Sequence, residues 1–336
     1  MTLLPTNHSI VALECFIQAT RDSGYKSTVN ALAELVDNSV QAGASTIEVN
    51  IAAELEGADP LVVTVLDDGE GMTPATLRNA MRFGGSSRFG DRSGLGRYGM
   101  GLPNSSLSQA RRVDVVSWRQ GQDPMSTHLD VDEIAAGRVV EVPNPEPATW
   151  PAHADSGTVV RWTRCDRLDN RRPSTIARKL AAGLGRKFRY FIWGGGRIIV
   201  NGVVVRPIDP LFLHEDSVVS GGAPYGDPIE YEFRFAARET SVVTVRFAEL
   251  PVEQWSGLSN QEKRRLGVSK GAGVSIVRGG REVDYGWFMF GGKRRENYDD
   301  WWRCEVSFQP ELDEFFGITH TKQQIRPSEL LQRELA

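Results

Sequence analysis

Cysteine and histidine are scarce in this sequence, and neither is grouped. The three cysteines, Cys15, Cys165 and Cys304, lie far apart and form no C-x-x-C pair. An odd and scattered set argues against a disulfide framework and against a cysteine-ligated zinc site. The five histidines are also scattered, so the sequence predicts no histidine metal cluster.

Long apolar runs are also missing. No segment approaches the roughly 20 apolar residues that span a bilayer. The N-terminus lacks the basic region and apolar stretch of a signal peptide. We therefore expect no membrane association and a cytoplasmic location. A chain of 336 residues with 40% hydrophobic residues is long enough for two globular domains.

Charge is distributed unevenly along the chain. Residues 1–160 carry 11 Lys and Arg against 20 Asp and Glu, whereas the remainder carries 28 against 23. Between Arg161 and Val200 there are 11 basic residues and only two acidic ones. A basic stretch of this kind is consistent with contacts to nucleic acid phosphates, although a solvated helix face has the same composition.

Hydrophobic periodicity predicts an α+β fold. Up to residue 163, helices and strands alternate as expected for a two-layer α/β sandwich. Arg172-Pro173 marks a boundary between domains 1–170 and 171–336. The predicted helices cover residues 9–20, 28–42, 102–110, 174–190 and 327–335, with another starting at Thr73-Pro74. The predicted strands cover residues 46–52, 61–68, 113–118, 157–163, 197–205, 229–237, 241–250, 273–283 and 302–310.

The second predicted helix carries the first chemical motif. Glu34, Asp37 and Asn38 are spaced so that they share one helical face. An amide oxygen suits Mg²⁺, and a carboxylate can polarise water for attack on a phosphate. Taken alone, the pattern also fits an ordinary solvated polar face.

A second motif follows the apolar strand at residues 61–68. Asp67 ends this strand and precedes Gly69, Gly71 and Met72. A carboxylate at such a place needs a hydrogen-bond donor, and the exocyclic amine of a purine is suitable. The glycines permit a tight turn and close approach to a flat ring, although an Asp- and Gly-rich β-turn is also common.

Glycines and a threonine supply two further motifs. The segment Gly94–Gly101 lies before a predicted helix, so its N–H groups and the helix N-terminus can face phosphate. No strand precedes it, which excludes a dinucleotide-binding Rossmann motif. Thr158, in the pair Gly157-Thr158, can support a carboxylate that holds a base, or can be an ordinary strand threonine.

The order of these motifs resembles that of the GHKL ATPases, the class of DNA gyrase, heat-shock-ninety chaperones, histidine kinases and MutL. The resemblance covers residues 28 to 163. It implies that Glu34 is the general base, Asn38 the Mg²⁺ ligand, and Asp67 the acceptor for the adenine amino group, supported by Thr158. Gly69, Gly71 and Met72 would then line the base pocket. The phosphates of ATP would be held by residues of a closing lid: Gly96, Tyr98, Gly99, Met100 and Gly101.

The second half resembles the microrchidia (MORC) branch. Thr319–Gln324 is similar to the T-H-N-K-Q segment of those proteins, which implies that Lys322 contacts the γ-phosphate as a second catalytic residue. The resemblance also implies a ribosomal-S5-like transducer domain over residues 171–336. The final predicted helix stops with the chain, so a further C-terminal domain or a partner protein is expected.

The resemblance implies a Mg²⁺-dependent ATPase that closes a lid and forms a homodimeric clamp. We expect DNA as the target, contacted by two basic groups: Arg171, Arg172, Arg178, Lys179, Arg186, Lys187 and Arg189, and Lys293, Arg294 and Arg295. One alternative is a chaperone-like clamp with apolar client patches, for which the candidates are Trp255, Trp287, Trp301 and Trp302, although core packing also explains these residues. Another is an ATPase subunit of a multi-protein system, such as one for phage defence.

Overall fold

A computed structural model describes residues 11–25, 27–53, 61–85, 99–150, 154–236, 239–269, 271–287, 296–318 and 325–326. Within these ranges the chain forms two compact units. The first contains the residues up to 44, then 49–85 and 99–176, and the second contains 45–48 and 177–326. The domain boundary near residue 171 stays a prediction.

The first unit alternates helices and strands as the sequence predicts. Its helices are α1 Leu13–Ser23, α2 Thr28–Gln41, α3 Pro74–Ala80, α4 Gly101–Leu107 and α5 Val131–Ala135. Its strands are β1 Thr46–Ala53, of which residues 49–53 belong to this unit, β2 Leu61–Asp67, β3 Arg112–Trp118, β4 Met125–Asp130, β5 Glu146–Pro147 and β6 Gly157–Thr163. The strands β4 and β5 and the helix α5 were not predicted.

The sheet of the first unit places β2 beside the strand that carries Thr158. Its order is β5-β4-β3-β6-β2-β1, and β6 pairs antiparallel with both β2 and β3. The buried side chains of α2 and of these strands include Leu32, Val63, Val115, Val159 and Trp162. The predicted α+β sandwich is therefore confirmed. No helix within the described ranges combines the length and the apolar character needed to cross a membrane.

Local signals placed several helix ends correctly. Thr73 caps α3 by accepting a hydrogen bond from the Thr76 N–H, with Pro74 in the first turn. Gly43 follows α2 with φ +73°, the left-handed conformation expected for a helix C-cap. The first helix is displaced, since α1 covers Leu13–Ser23 rather than residues 9–20.

Among the described residues, the second unit contains a six-stranded sheet and several short helices. The division between the units falls within α6 Pro173–Lys187. The later helices are α7 Arg189–Trp193, α8 Val252–Trp255, α9 Asn260–Leu266 and α10 Asp313–Phe316, with 3-10 turns Asn297–Trp301 and Pro310–Leu312. The strands are β7 Arg197–Val200, β8 Val203–Val204, β9 Ala223–Pro224, β10 Ile229–Ala236, β11 Glu239–Glu249, β12 Val274–Arg278, β13 Arg281–Gly286 and β14 Trp302–Phe308.

Two predicted strands are in fact hairpins. Residues 197–205 turn back at Asn201-Gly202, and residues 273–283 turn back at Gly279-Gly280. All four turn residues have positive φ, as two-residue hairpin turns that match the strand twist require. The prediction of continuous strands was wrong because hydrophobicity continues on both sides of each turn. The predicted helix 174–190 is likewise divided into α6 and α7.

The main sheet of the second unit has one apolar face and one charged face. Its order is β10-β11-β14-β12-β13, with β12 and β14 parallel. The apolar face packs into a core that includes Val245, Ile276, Val306, Phe308 and Phe316. The opposite face carries polar side chains at the alternate positions: Arg246, Ser275, Glu282 and Glu305.

Arg189 of α7 is the centre of that charged face. Its guanidinium is fully buried and contacts Glu305 Oε2 at 2.5 Å, Glu282 Oε2 at 3.2 Å and Ser275 Oγ at 3.0 Å. Arg186 contacts Glu282 Oε1 at 2.7 Å and lies over the Tyr285 ring. Burial raises the pKa of Glu282, but Arg186 and Arg189 outweigh burial, so this pKa lies below its ordinary value.

These contacts correct the predicted DNA surface. Arg189 is buried and Arg186 is paired with a buried carboxylate, so neither is available to neutralise phosphates. Lys187 is half-buried, and its charge acts on Glu282 and Asp284. The pattern missed this because the partners, Glu282 and Glu305, are about 100 residues away in sequence. Lys293, Arg294 and Arg295 lie outside the described residues.

We predict that Arg189→Met lowers the free energy of unfolding by about 3–5 kcal/mol at neutral pH, because it removes the buried cation that the Glu282 and Glu305 carboxylates share. Urea denaturation measures the change. Arg178→Met, on the exposed side of α6, should change stability by only about 0.5 kcal/mol. The difference in unfolding free energy between Arg189→Met and the wild type should become smaller as the pH falls, since protonation of Glu282 removes a buried negative charge. Equal losses in the two variants would contradict the role of Arg189.

Candidate functional site

The helix α2 brings the acidic and amide groups of the first motif together. Leu32, Leu35 and Val36 recur at helical spacing and are buried, which fixes the rotation of the helix. Glu34 is buried at 3% exposure, and Asn38 is half-buried one turn further along. The structure thus presents a carboxylate and an amide on neighbouring turns.

The carboxylate of Asp67 lies at the buried end of β2. Its Oδ2 accepts a hydrogen bond from Ser39 Oγ at 2.7 Å, and its Oδ1 accepts one from the Gly69 N–H at 3.0 Å. Burial raises the pKa of Asp67 above its ordinary value, and these hydrogen bonds only partly oppose that shift. Thr158 is the register partner of Asp67 on β6, so the two predicted base-binding residues are adjacent.

Gly71 occupies a position that admits no side chain. Its φ is +67°, and a Cβ built on it would overlap the carbonyl of Trp118 and lie 3.2 Å from that of Gly157. At Gly69 a Cβ would meet both the side chain and the carbonyl of Ala42 at 2.9 Å. The two glycines therefore let the turn after Asp67 lie directly against neighbouring backbone. Met72 follows this turn and is half-buried.

Ser117 is a site residue that the sequence analysis missed. Its Oγ accepts a hydrogen bond from the Met72 N–H at 2.9 Å and lies 2.9 Å from Thr158 Oγ1. Ser39, which donates to Asp67, was also missed. A signal existed for both, because each is a polar residue at a position where the strand or helix period places a buried apolar side chain.

Gly99 and Gly101 are the described glycines of the third motif, and Gly101 lies against Glu34. Gly84 N–H donates to the Gly99 carbonyl at 3.0 Å, and α4 begins two residues later at Gly101. A Cβ on Gly101 would overlap the Glu34 carboxylate, so this backbone can approach only because the residue is glycine. Met100 precedes the helix without a side-chain capping hydrogen bond. The start of α4 therefore faces a buried carboxylate at close range.

Ser39 and Glu34 connect the two sides of the site through α2. Ser39 touches Asp67, and Glu34, five residues earlier, touches Gly101. With a rise of about 1.5 Å per residue, the two contacts are about 7.5 Å apart along the helix axis. Three predicted site residues, Gly96, Tyr98 and Lys322, lie outside the described residues.

This arrangement matches known proteins. Residues 25–158 match the family described as histidine kinase-, DNA gyrase B-, and HSP90-like ATPase. Residues 25–158 therefore form a GHKL-type domain. The match includes the described residues of the first, second and third motifs and ends at Thr158.

The relatives agree with the MORC-like and MutL-like resemblance of this GHKL domain. The DNA mismatch repair protein MutL of Agrobacterium fabrum is 32% identical over 135 residues, which are 39% of this chain and 20% of that protein. Protein MICRORCHIDIA 6 of Arabidopsis thaliana is 37% identical over 99 residues, 28% of this chain and 14% of that protein. The human ATPase MORC2 is 30% identical over 108 residues, 32% of this chain and 10% of that protein. The match therefore spans at most about a fifth of these relatives.

We predict that Asp67→Asn removes nucleotide binding without lowering stability. The raised pKa means that the ionised carboxylate opposes folding at neutral pH, so its neutral replacement should keep or increase the melting temperature. Asp67 keeps its proton to a higher pH in the folded protein than in the unfolded chain. The melting temperature of the wild type should therefore rise relative to that of the variant as the pH falls towards 4. Thermal unfolding between pH 7 and 4 measures both effects. Glu70→Gln, an exposed change in the same turn, should alter neither property.

Proposed function

We propose that this chain binds and hydrolyses ATP with Mg²⁺ at the site formed by α2, the end of β2 and the start of α4. The observation that carries the proposal is that one helix, α2, makes both contacts: Ser39 donates to Asp67, and Glu34 lies against Gly101. It gives the site an acceptor for a base and, along the same helix, a buried carboxylate beside the backbone at the start of α4. The match to an ATPase family supports the same conclusion.

The base side of the site suits adenine. Asp67 keeps acceptor capacity beyond the hydrogen bonds from Ser39 and Gly69, and the amino group of adenine can donate to it. Guanine carries a carbonyl at the corresponding position, which would face a carboxylate and be disfavoured. Thr158 supports the carboxylate from β6, and Gly71 and Met72 line the base pocket.

The phosphate side suits hydrolysis. Asn38 would ligate Mg²⁺ through its amide oxygen, with phosphate and water oxygens completing the shell. This fits the donor set, since the half-buried amide of Asn38 and the buried carboxylate of Glu34 lie one turn apart on α2. Glu34 would accept a proton from water as that oxygen bonds to the γ-phosphorus and the bond to the β-phosphate oxygen breaks. Gly99, Met100 and Gly101 would hold phosphate oxygens through their backbone, together with Gly96 and Tyr98.

The wider function is an ATP-dependent clamp of two chains. ATP would favour a dimeric state, and hydrolysis would release it, since a ligand shifts such an equilibrium only by binding one state better. The second unit would serve as the transducer, with Lys322 contacting the γ-phosphate. The mixed sheet of that unit is compatible with this S5-like role. A cytoplasmic location and a further C-terminal domain or partner remain predictions.

We predict that Glu34→Gln abolishes hydrolysis but retains ATP binding. The amide keeps the shape that packs against Gly101 but cannot take a proton from water, so the hydrolysis rate should fall about 100-fold or more. Phosphate release and equilibrium binding measure the two steps, and light scattering with Mg²⁺-ATP should show a persistent dimer. Glu253→Gln, the same change at an exposed position of α8, is the control. Failure of the wild type itself to bind ATP would refute the proposed function.

DNA is the target that the remaining charges favour. Arg171, Arg172, Arg178 and Lys179 are exposed, so this part of the basic stretch can reach phosphates. Chaperone-like apolar patches are less well supported, because Trp255 and Trp301 pack against a small core and Trp302 packs against the main one. An ATPase subunit of a multi-protein system remains the second alternative.

We predict that Arg178→Glu/Lys179→Glu weakens DNA binding and flattens its salt dependence. Each lost phosphate contact should reduce the slope of log K against log salt by about 0.9. Binding to a duplex of random sequence, titrated at several salt concentrations with ATP present, measures the slope. The control Arg264→Glu/Arg265→Glu changes net charge equally on exposed residues of α9. Equal losses in both variants would indicate only a general charge effect.

A further inference from the structure

The helix α1 contacts α4 near its C-terminal end. Arg21 of α1 is buried and donates to the Ala110 carbonyl at 2.8 Å, just beyond α4, while it pairs with Asp166 at 2.7 Å. Gly24 follows α1 and packs so closely that a Cβ there would lie 2.8 Å from Ser108 Cβ and 2.9 Å from Asn104 Oδ1. These contacts fix the C-terminal end of α1 against the last turn of α4.

The other half of α1 reaches the segment that leads into α4. Phe16 packs edge-to-face on Phe83, with ring centroids 5.2 Å apart. Phe83 lies in a tight turn after α3, where the Asn79 side chain donates to the Gly85 carbonyl at 2.9 Å. The next residue, Gly84, donates to the Gly99 carbonyl at 3.0 Å. The Phe16 ring is therefore connected through Phe83 and Gly84 to Gly99, two residues before Gly101.

Gly101 connects these contacts to Glu34, the proposed general base. Its backbone lies against the Glu34 carboxylate with no room for a Cβ. A small shift of the start of α4 would therefore alter both the phosphate-facing backbone and the surroundings of Glu34. The base side is built instead on Asp67, Thr158 and Ser117, which belong to β2, β6 and β3 rather than to α1 or the turn after α3.

We propose that Phe16 is a positioning residue, and that α1 braces α4 so that its first turn is held at the correct distance from Glu34. This rests on the proposed ATPase function. The brace acts on the phosphate half of the site and leaves base recognition unchanged. Removing the Phe16 ring would leave the far end of α4 anchored through Arg21, while its first turn loses the contact that holds Phe83.

The test compares ligands with and without phosphates. Phe16→Ala should weaken ATP and ADP binding roughly three- to tenfold, as expected for loss of one aromatic pair, and should leave adenosine affinity unchanged. Competition against a fluorescent adenine nucleotide measures all three. Phe16→Leu should restore most of the loss. Gln18→Ala, an exposed change on the same helix, should have no effect.

A double-mutant cycle separates the brace from a general loss of stability. If Phe16 acts through Phe83, the variant Phe16→Ala/Phe83→Ala should be no weaker in ATP binding than either single variant. Additive losses, or an equal loss of adenosine and ATP affinity, would overturn the proposal. Wild-type protein that binds no ATP would refute the proposed function and the brace together, whereas normal ATP binding by Phe16→Ala would overturn the brace alone.

Labelling of Cys15 can report the coupling between α1 and the phosphate side in a protein that carries no core substitution. It is exposed and adjacent to Phe16, whereas Cys165 and Cys304 are buried, so a thiol-reactive fluorophore should label it selectively. The emission should change when ATP is added and stay constant with adenosine. The same response to both ligands, or a response to neither, would contradict coupling between α1 and the phosphate side.

Discussion

The buried carboxylate at the end of β2 is the constraint on which the site of this GHKL domain depends. Burying Asp67 opposes its ionisation, and the surrounding hydrogen bonds reduce that cost without removing it. Those bonds in turn dictate the neighbourhood: a serine from α2, an N–H from a turn, and a threonine in register on β6. The turn can lie there only because Gly71 carries no side chain that would meet Trp118. The stability cost of this buried carboxylate is therefore retained, and under the proposed function its spare acceptor capacity would select a base.

A second carboxylate is used in a different way in the same unit. Glu34 lies on the same helix as Ser39, and its carboxylate lies against the backbone at the start of α4. The two acids thus have different surroundings, although both are buried. One helix sets their separation, so any change that rotates or shifts α2 moves both halves of the site together. This explains why the polar face of α2 is buried, which a solvated amphipathic helix would not require.

How much could be predicted depended on whether the deciding contact was local. Thr73-Pro74 and Gly43 were placed correctly because capping depends on a few adjacent residues. The order of strands and helices in the first unit also followed from periodicity. Asn201-Gly202 and Gly279-Gly280 are recognisable turn pairs. The two hairpins were nevertheless missed, because the apolar pattern continues on both sides of each pair and resembles a single strand. Ser39 and Ser117 required a different inference: a polar residue at a position where the period predicts a buried apolar side chain indicates a site residue.

The arginines of α6 and α7 show most clearly that composition alone does not predict which charged residues are exposed. Arg178 and Arg189 look alike in sequence, but one is exposed and the other is fully buried between Glu282 and Glu305. The difference arises from strands that the sequence places about 100 residues later, so no local window contains it. A buried cation with two carboxylate partners specifies one arrangement of α7 on the sheet, because any other would leave charge unpaired. The basic stretch is therefore two features in one segment: an exposed part that can attract phosphates, and a buried part that orders the second unit.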